Sequence, residues 1–251
     1  MSAQSDLPFF WRVQCEYLLP SELRAAMARR PVGYVPLGTI EWHSEHLPVG
    51  LDALTAHGIC LRAATKDGGL VLPPLYYGTG GEHGAYPWTI MTDDEREIAP
   101  LLRKTLARMQ DFGFKGAVLF SGHFAPTQIE MVERLACEWN AKQGAMKAYG
   151  VAVNAIEGLP LAPDHAAIFE TTLLAELWPS RVRTDLLSPM TEGPLPESDS
   201  WNRATRHDPK HPLYGIFGPD PRVLDAASAA KMVDATVAWL TGKVAQMVGS
   251  A

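Results

Sequence analysis

Three short segments of the chain carry side chains of the types that bind divalent metal ions. The first contains Glu41 and His43, two positions apart, followed by Asp52. Residues i and i+2 of an extended segment point the same way, so we expect Glu41 and His43 on one face. Mixed carboxylate and imidazole ligands suit Zn, Mn or Fe, and the two oxygens of Asp52 can bridge two ions.

The other two segments add an imidazole and a second imidazole–carboxylate pair. Ser121-Gly122-His123 ends an apolar run, so His123 is expected at the carboxyl end of a strand. His165 and Glu170 fall in one predicted helix, about 140° apart around its axis. They cannot both point straight into a small site, so we expect one to reach it from the helix start and the other from the inner face.

The elements that position these residues follow from alternating apolar runs and amphipathic segments. A capping box of Thr92 and Glu95 predicts the start of a helix that Gly113 ends. Strands separated by helices favour right-handed crossovers and a three-layer α/β/α sandwich with a mostly parallel central sheet, whose carboxyl edge holds the site. The predicted strands are 32–40, 70–75, 115–121 and 149–156, and the other helices are 52–65, 129–139, 165–177 and 224–248.

Length and composition indicate one globular domain over residues 1–251. Eight prolines between residues 179 and 222 predict a long ordered loop rather than a domain linker. A net charge of -6 without a basic cluster argues against nucleic-acid and anionic-membrane partners. The three scattered cysteines do not form a disulfide framework, and no signal peptide or spanning helix is visible, so we expect a cytoplasmic protein.

Together these segments resemble the motifs of the creatininase (creatinine amidohydrolase) family. The resemblance runs in the same order from Gly38 to Leu174. Ser121-Gly122-His123 is similar to the family's Asn-Gly-His. The other matching stretches are Glu41-x-His43 with His46-Leu47-Pro48 and Asp52, Pro73-Pro74-Leu75-Tyr76-Tyr77-Gly78 with Glu82-His83-x-x-Tyr86-Pro87-x-Thr89, and His165-Ala166-Ala167-x-x-Glu170-Thr171-Thr172.

The resemblance implies a site for two divalent ions, with Zn as the first choice and Mn or Fe as alternatives. By position, Glu41 and His123 bind one ion, His43 binds the other, and Asp52 bridges them. Such a site activates water for attack on an amide carbonyl. His165 matches the family's histidine that donates a proton to the leaving group, so it is expected to be catalytic rather than a ligand.

Several positions depart from the family pattern. Ala125 stands where creatininase itself has a ligand glutamate, so Glu170 is expected as the fifth ligand. Phe124 and Pro126 change the rim of the site, which puts creatinine in doubt as the substrate. We expect Phe124 to contact the substrate. Glu82 and His83 are expected to line the pocket or to contact a neighbouring subunit.

Three functions remain open at this point. The first is hydrolysis of a C–N bond in a small cyclic amide, and the second is ring opening of a cyclic ketone or lactone on the same site. The third is an inactive metal-binding or assembly subunit. We also expect a homo-oligomer, from the resemblance and from Trp201, Tyr214 and Phe217, three aromatics that look exposed in the sequence.

Overall fold

A parallel sheet forms the centre of the molecule. The computed structural model describes residues 10–81, 83–189 and 206–249. The strands are β1 (Val32–Leu37), β2 (Leu70–Val71), β3 (Gly116–Ser121) and β4 (Lys147–Ala152). They lie in the order β2-β1-β3-β4, and each neighbouring pair is parallel, which confirms the predicted sheet.

Helices cover both faces of this sheet. Short 3-10 helices connect some of the elements within the described residues. The α-helices are α1 (Pro20–Arg29), α2 (Leu51–Asp67), α3 (Ala99–Asp111), α4 (Pro126–Ala141), α5 (Ile168–Leu177) and α6 (Ala226–Val248). The 3-10 helices are Phe10–Val13, Cys15–Tyr17, Glu95–Glu97, Val153–Ala155, Pro179–Arg181 and Thr184–Leu186.

Alternating side chains of the strands feed two separate cores. Val32 and Tyr34 of β1 point into the core formed with α2, α5 and α6. Val35 and Leu37 point the other way, into the core formed with α1, α3 and α4. Because successive residues of a strand face opposite sides, a strand buried on both faces is apolar throughout. The result is the expected α/β/α sandwich.

The predicted bounds of one strand and one helix differ from the observed ones for identifiable reasons. The predicted strand 70–75 ends at Val71, because Pro73 and Pro74 have no N–H to donate to a ladder. The Thr92–Glu95 capping box does not form. Thr92 Oγ1 donates to the carbonyl of Gly78 at 2.9 Å, and the helix α3 begins only at Ala99.

Nothing in the described residues tests the division of the chain into domains. Residues 190–205, in the middle of the proline-rich stretch, lie outside the described residues, so a single domain over 1–251 stays a prediction. Among the described residues, no helix combines the length and the hydrophobicity that a membrane span requires.

Candidate metal centre

The site lies where β1 and β3 end and α2 begins. Two glycines allow this close approach, because a Cβ on Gly38 would overlap the backbone of Ala53, and one on Gly122 would overlap the carbonyl of Asp52. The first turn of α2 therefore packs directly on both strand ends. This contact places the Asp52 carboxylate between the segments that follow the two strands.

One group of ligand-type atoms comprises Glu41, Asp52 and His123. His123 Nδ1 lies 3.0 Å from Glu41 Oε2 and 3.3 Å from Asp52 Oδ2. All three side chains are buried. These are two carboxylates and an imidazole at one point, the donor set expected for a Zn, Mn or Fe ion.

A second group lies beside the first and shares Asp52 with it. His43 Nε2 lies 3.3 Å from Asp52 Oδ1 and 3.5 Å from Glu170 Oε2. Asp52 thus presents Oδ2 to the first group and Oδ1 to the second. This is the arrangement in which one carboxylate can bridge two ions.

In His43 and His123, the ring nitrogen that faces away from the carboxylates is hydrogen-bonded to a backbone carbonyl. His43 Nδ1 lies 3.0 Å from the carbonyl of Glu41, and His123 Nε2 lies 3.0 Å from that of Gly80. A carbonyl only accepts hydrogen bonds, so each of these nitrogens donates its N–H. The inner nitrogen of a neutral ring then turns a lone pair towards the carboxylates, as ligating histidines do.

The spacing within both groups fits a shared ion. Ligands about 2.0–2.2 Å from a tetrahedral ion stand roughly 3.3–3.6 Å from one another. Three of the four distances above are 3.3–3.5 Å, and the fourth, from His123 Nδ1 to Glu41 Oε2, is shorter at 3.0 Å. Glu41 Oε2, His43 Nε2 and Asp52 Oδ2 are buried and have no hydrogen-bond partner among the described residues. Buried polar atoms without partners are costly, and ion coordination would satisfy all three.

Electrostatics at the cluster favour a positive charge. Burial opposes the charged form of His43, but the Asp52 and Glu170 carboxylates outweigh it and raise its pKa to about 10. Burial likewise opposes ionisation of Glu41, but His123 holds the pKa of Glu41 well below its usual value. Burial raises the pKa of Glu170 well above its ordinary range, against the attraction of His43. A metal ion would supply the charge that these groups otherwise obtain from protons.

His165 does not open a helix, contrary to the prediction. Its backbone pairs with Phe217 in an isolated antiparallel bridge, and α5 begins at Ile168, after Ala166 with a φ of +53°. The 140° argument therefore does not apply, because only Glu170 belongs to the helix. His165 Nδ1 lies 3.9 Å from Glu41 Oε1, and its ring centroid is 4.5 Å from that of His43.

Glu170 reaches the site from the first turn of α5. Its Oε2 accepts a hydrogen bond from the N–H of Ala166 at 2.6 Å. Asp164 accepts from the N–H of Phe169 at 2.8 Å and so satisfies a free donor at the helix start. Burial raises the pKa of Asp164 to about 7. Sequence reasoning missed Asp164, although an Asp before a helix is an ordinary capping signal.

A cavity of about 310 Å³ opens onto the cluster. His83, Phe124 and His165 line it, and their contact with substrate stays a prediction. Phe217 also lines it. The sequence predicted an exposed aromatic at this position, but Phe217 is buried against the ring of His83. The predicted residue Glu82 and the aromatic Trp201 lie outside the described residues.

Comparison with known proteins decides the family. The sequence model of the creatininase family, described as creatinine amidohydrolase, matches residues 16–244. The chain belongs to the creatininase family. A creatinine amidohydrolase of Pseudomonas putida is 24% identical over 213 residues, 74% of each chain. A mycofactocin precursor peptide peptidase of Mycolicibacterium smegmatis is 28% identical over 189 residues, 71% of this chain and 72% of the peptidase.

Solved creatininase structures have the same fold. One crystal structure of creatinine amidohydrolase superposes with a TM-score of 0.73 at 20% identity, covering 95% of this chain and 99% of that chain. A manganese form of creatininase superposes with a TM-score of 0.71, covering 94% of this chain and 98% of that one. A creatininase variant has also been solved in a Zn-Zn form.

Two further family-motif residues act outside the ligand cluster. His46, part of the first motif, is buried with its Nε2 3.0 Å from Thr171 Oγ1. Burial, helped by nearby His43, lowers the pKa of His46 to about 3. A neutral His46 therefore ties the segment after β1 to α5, which carries Glu170.

Proposed function

We propose that the protein is a hydrolase that uses two divalent ions to cleave a C–N bond in a small cyclic amide. The observation that carries the proposal is the pair of three-residue ligand groups that share Asp52. Glu41 and His123 would hold one ion, and His43 with Glu170 the other. Zn is our first choice, with Mn or Fe as alternatives. Family membership and the hydrolase names of the relatives support the same class of reaction.

When bound, the ions would ease deprotonation of water and polarise the substrate carbonyl. The proton released by the water must still reach the leaving nitrogen of the substrate, and His165 is placed to transfer it. Its Nε2 donates to the carbonyl of Trp42 at 3.1 Å, which leaves Nδ1 facing Glu41 and the cavity. Burial, with His43 and His83 nearby, lowers the pKa of His165 well below its usual value, so the ring is neutral at rest. It can accept a proton at Nδ1 and deliver it to the leaving nitrogen.

The experiment combines metal analysis with a substrate panel of cyclic amides, imides and lactones. The protein is stripped of metal, reloaded separately with Zn, Mn and Fe, and assayed, with Asp52→Ala purified in parallel to reveal contaminating hydrolases. We expect about two ions per chain and amide hydrolysis that depends on them. Full activity in chelator-treated, metal-free protein would refute the proposal.

A second candidate is hydrolytic ring opening of a cyclic ketone or lactone. A 3-dehydro-scyllo-inosose hydrolase of Thermotoga maritima is 27% identical over 103 residues, which cover 41% of this chain and 33% of that protein. The same cavity can hold a cyclic substrate whose ring carbonyl is not part of an amide. Turnover of lactones or cyclic ketones without turnover of any amide would favour this candidate.

We also propose a homo-oligomeric assembly, with the family resemblance as its support. Tyr214 no longer supports it as an exposed residue, since its ring contacts Trp42 and Tyr86. Sedimentation at micromolar concentration is the test, and a mass near 27.4 kDa would refute the assembly.

A further inference from the structure

His83 makes a contact that none of the assigned roles uses. Its Nδ1 lies 2.6 Å from Glu41 Oε1, the carboxylate oxygen that faces away from His123. An ionised carboxylate only accepts, so His83 Nδ1 is the donor. His83 therefore holds Glu41 through Oε1, while Oε2 of Glu41 belongs to the ligand group with Asp52 and His123.

The bond to Glu41 decides which ring nitrogen of His83 carries the proton. With Nδ1–H committed to a carboxylate, a neutral His83 has its lone pair on Nε2. Nε2 has no hydrogen-bond partner within the described residues, and the ring lines the cavity with 15% of the side chain exposed. The cavity therefore contains an acceptor that no part of the described protein satisfies.

The plane of this ring is also fixed. His83 stacks on Phe217 with centroids 5.2 Å apart and planes 7° apart, and it also contacts the ring of His165 at 4.0 Å and the edge-on ring of Tyr86 at 5.4 Å. A ring held by one hydrogen bond and three ring contacts cannot turn freely. Its lone pair is therefore directed before any ligand arrives, and such preorganisation makes a hydrogen bond selective.

We propose that His83 Nε2 accepts a hydrogen bond from an N–H of the substrate, so the site selects amides with a free N–H over their N-alkylated forms. The proposal rests on the proposed amide hydrolysis, which it makes more specific. An N-methyl group would occupy the space of the hydrogen and leave Nε2 without a partner. Sites built around a polar partner strongly reject analogues that lack it.

The first test compares matched probes, succinimide with N-methylsuccinimide and glutarimide with N-methylglutarimide. The wild-type protein, loaded with metal, should show kcat/KM at least about tenfold higher for the N–H member of each pair. In His83→Asn, the side-chain amide can replace the donor to Glu41 but has no counterpart of Nε2. This variant should keep its metal, and the ratio within each pair should fall towards one. An unchanged ratio in His83→Asn would overturn the proposal.

The second test does not depend on turnover. In ¹⁵N NMR spectra of the metal-loaded protein, the Nε2 signal of His83 should be that of an unprotonated nitrogen and should move when succinimide saturates the site. N-methylsuccinimide should leave it in place. An Nε2 signal that succinimide does not move overturns the proposal, even if other amides are hydrolysed. A succinimide-specific shift in a metal-loaded protein that hydrolyses no amide or imide of the panel would instead refute the proposed function and leave the His83 contact standing.

Discussion

His43 in the floor of the cavity and His165 in its wall have pKa values that are shifted in opposite directions. The floor comprises Glu41, His43, Asp52, His123 and Glu170, all of which line the cavity except the fully buried His43, and the wall comprises His83, His165 and Phe217. All of the floor is buried. Carboxylates outweigh burial there and raise the pKa of His43 to about 10, whereas burial and neighbouring histidines lower the pKa of His165 well below its usual value.

This contrast shows that burial alone does not assign a role to a histidine. What differs is the number of carboxylates within reach of the ring. His43 lies within 3.5 Å of two carboxylates, whereas His165 has one at 3.9 Å and two other histidines beside it. The floor is suited to binding cations, and the wall is suited to contacting substrate and transferring a proton.

The largest effect is expected from removing the carboxylate that both ligand groups share. Asp52→Ala should lose most of its bound metal, because each ion would lose a ligand, and turnover should fall to background. Metal analysis after dialysis measures this directly. Asp111→Ala, which removes an exposed carboxylate at the end of α3, is the control and should bind metal normally. A fully loaded Asp52→Ala protein would show that Asp52 does not bridge.

Substituting a residue of the wall should leave metal binding unchanged. We expect His165→Ala to keep its metal and to lose about 10²–10⁴-fold in turnover of an amide, because the leaving nitrogen is no longer protonated. An activated ester, whose leaving group needs little protonation, should lose less. Parallel kinetics on both substrates and metal analysis check this. Loss of metal in His165→Ala would move His165 into the floor.

The floor predicts a definite pH dependence for metal binding. The raised pKa of His43, about 10, means that the metal-free protein carries a proton there at neutral pH, and an ion must displace it. Affinity should therefore rise with pH between pH 6 and 9, by about tenfold per pH unit for each proton displaced. Chelator competition at several pH values measures the slope. A flat profile would contradict the charge assigned to the floor.

The smallest effect is expected from replacing an aromatic side chain of the wall by a smaller apolar one. Phe217→Leu removes the ring that stacks on His83 but keeps an apolar side chain, so KM should rise about 2–10-fold, as expected for one aromatic contact. Metal content should not change. Phe112→Leu, at an exposed position after α3, is the matched control. If Phe217→Leu lost metal while its KM stayed unchanged, Phe217 would be needed to hold the metal ligands of the floor in place.

Much of the fold and the composition of the floor could be predicted from the sequence. Apolar runs and helical stripes predicted the parallel sheet, because burial on both faces leaves a periodic signal in the chain. The pattern of Glu41, His43, Asp52 and His123 drew attention to the floor, since ligand-type residues after strands are recognisable as such. The family resemblance supplied the candidate roles, which metal analysis and the variants above will test.

Other features depend on contacts between segments far apart in the chain. No local pattern predicts that Phe217 pairs with His165 and stacks on His83. Nor does one predict that His165 stands outside α5, because a bridge to residue 217 competes there with the helix.

The sequence by itself determined which residue types were available for metal binding and near which strand ends they lie. The tertiary structure alone decided which oxygen of Asp52 faces which group, and which ring nitrogen of each histidine faces inward. Those choices are made by backbone carbonyls such as Gly80 O and by the close approach at Gly38 and Gly122. The physical reason is that hydrogen-bond direction and steric fit depend on atoms that meet only after the chain has folded.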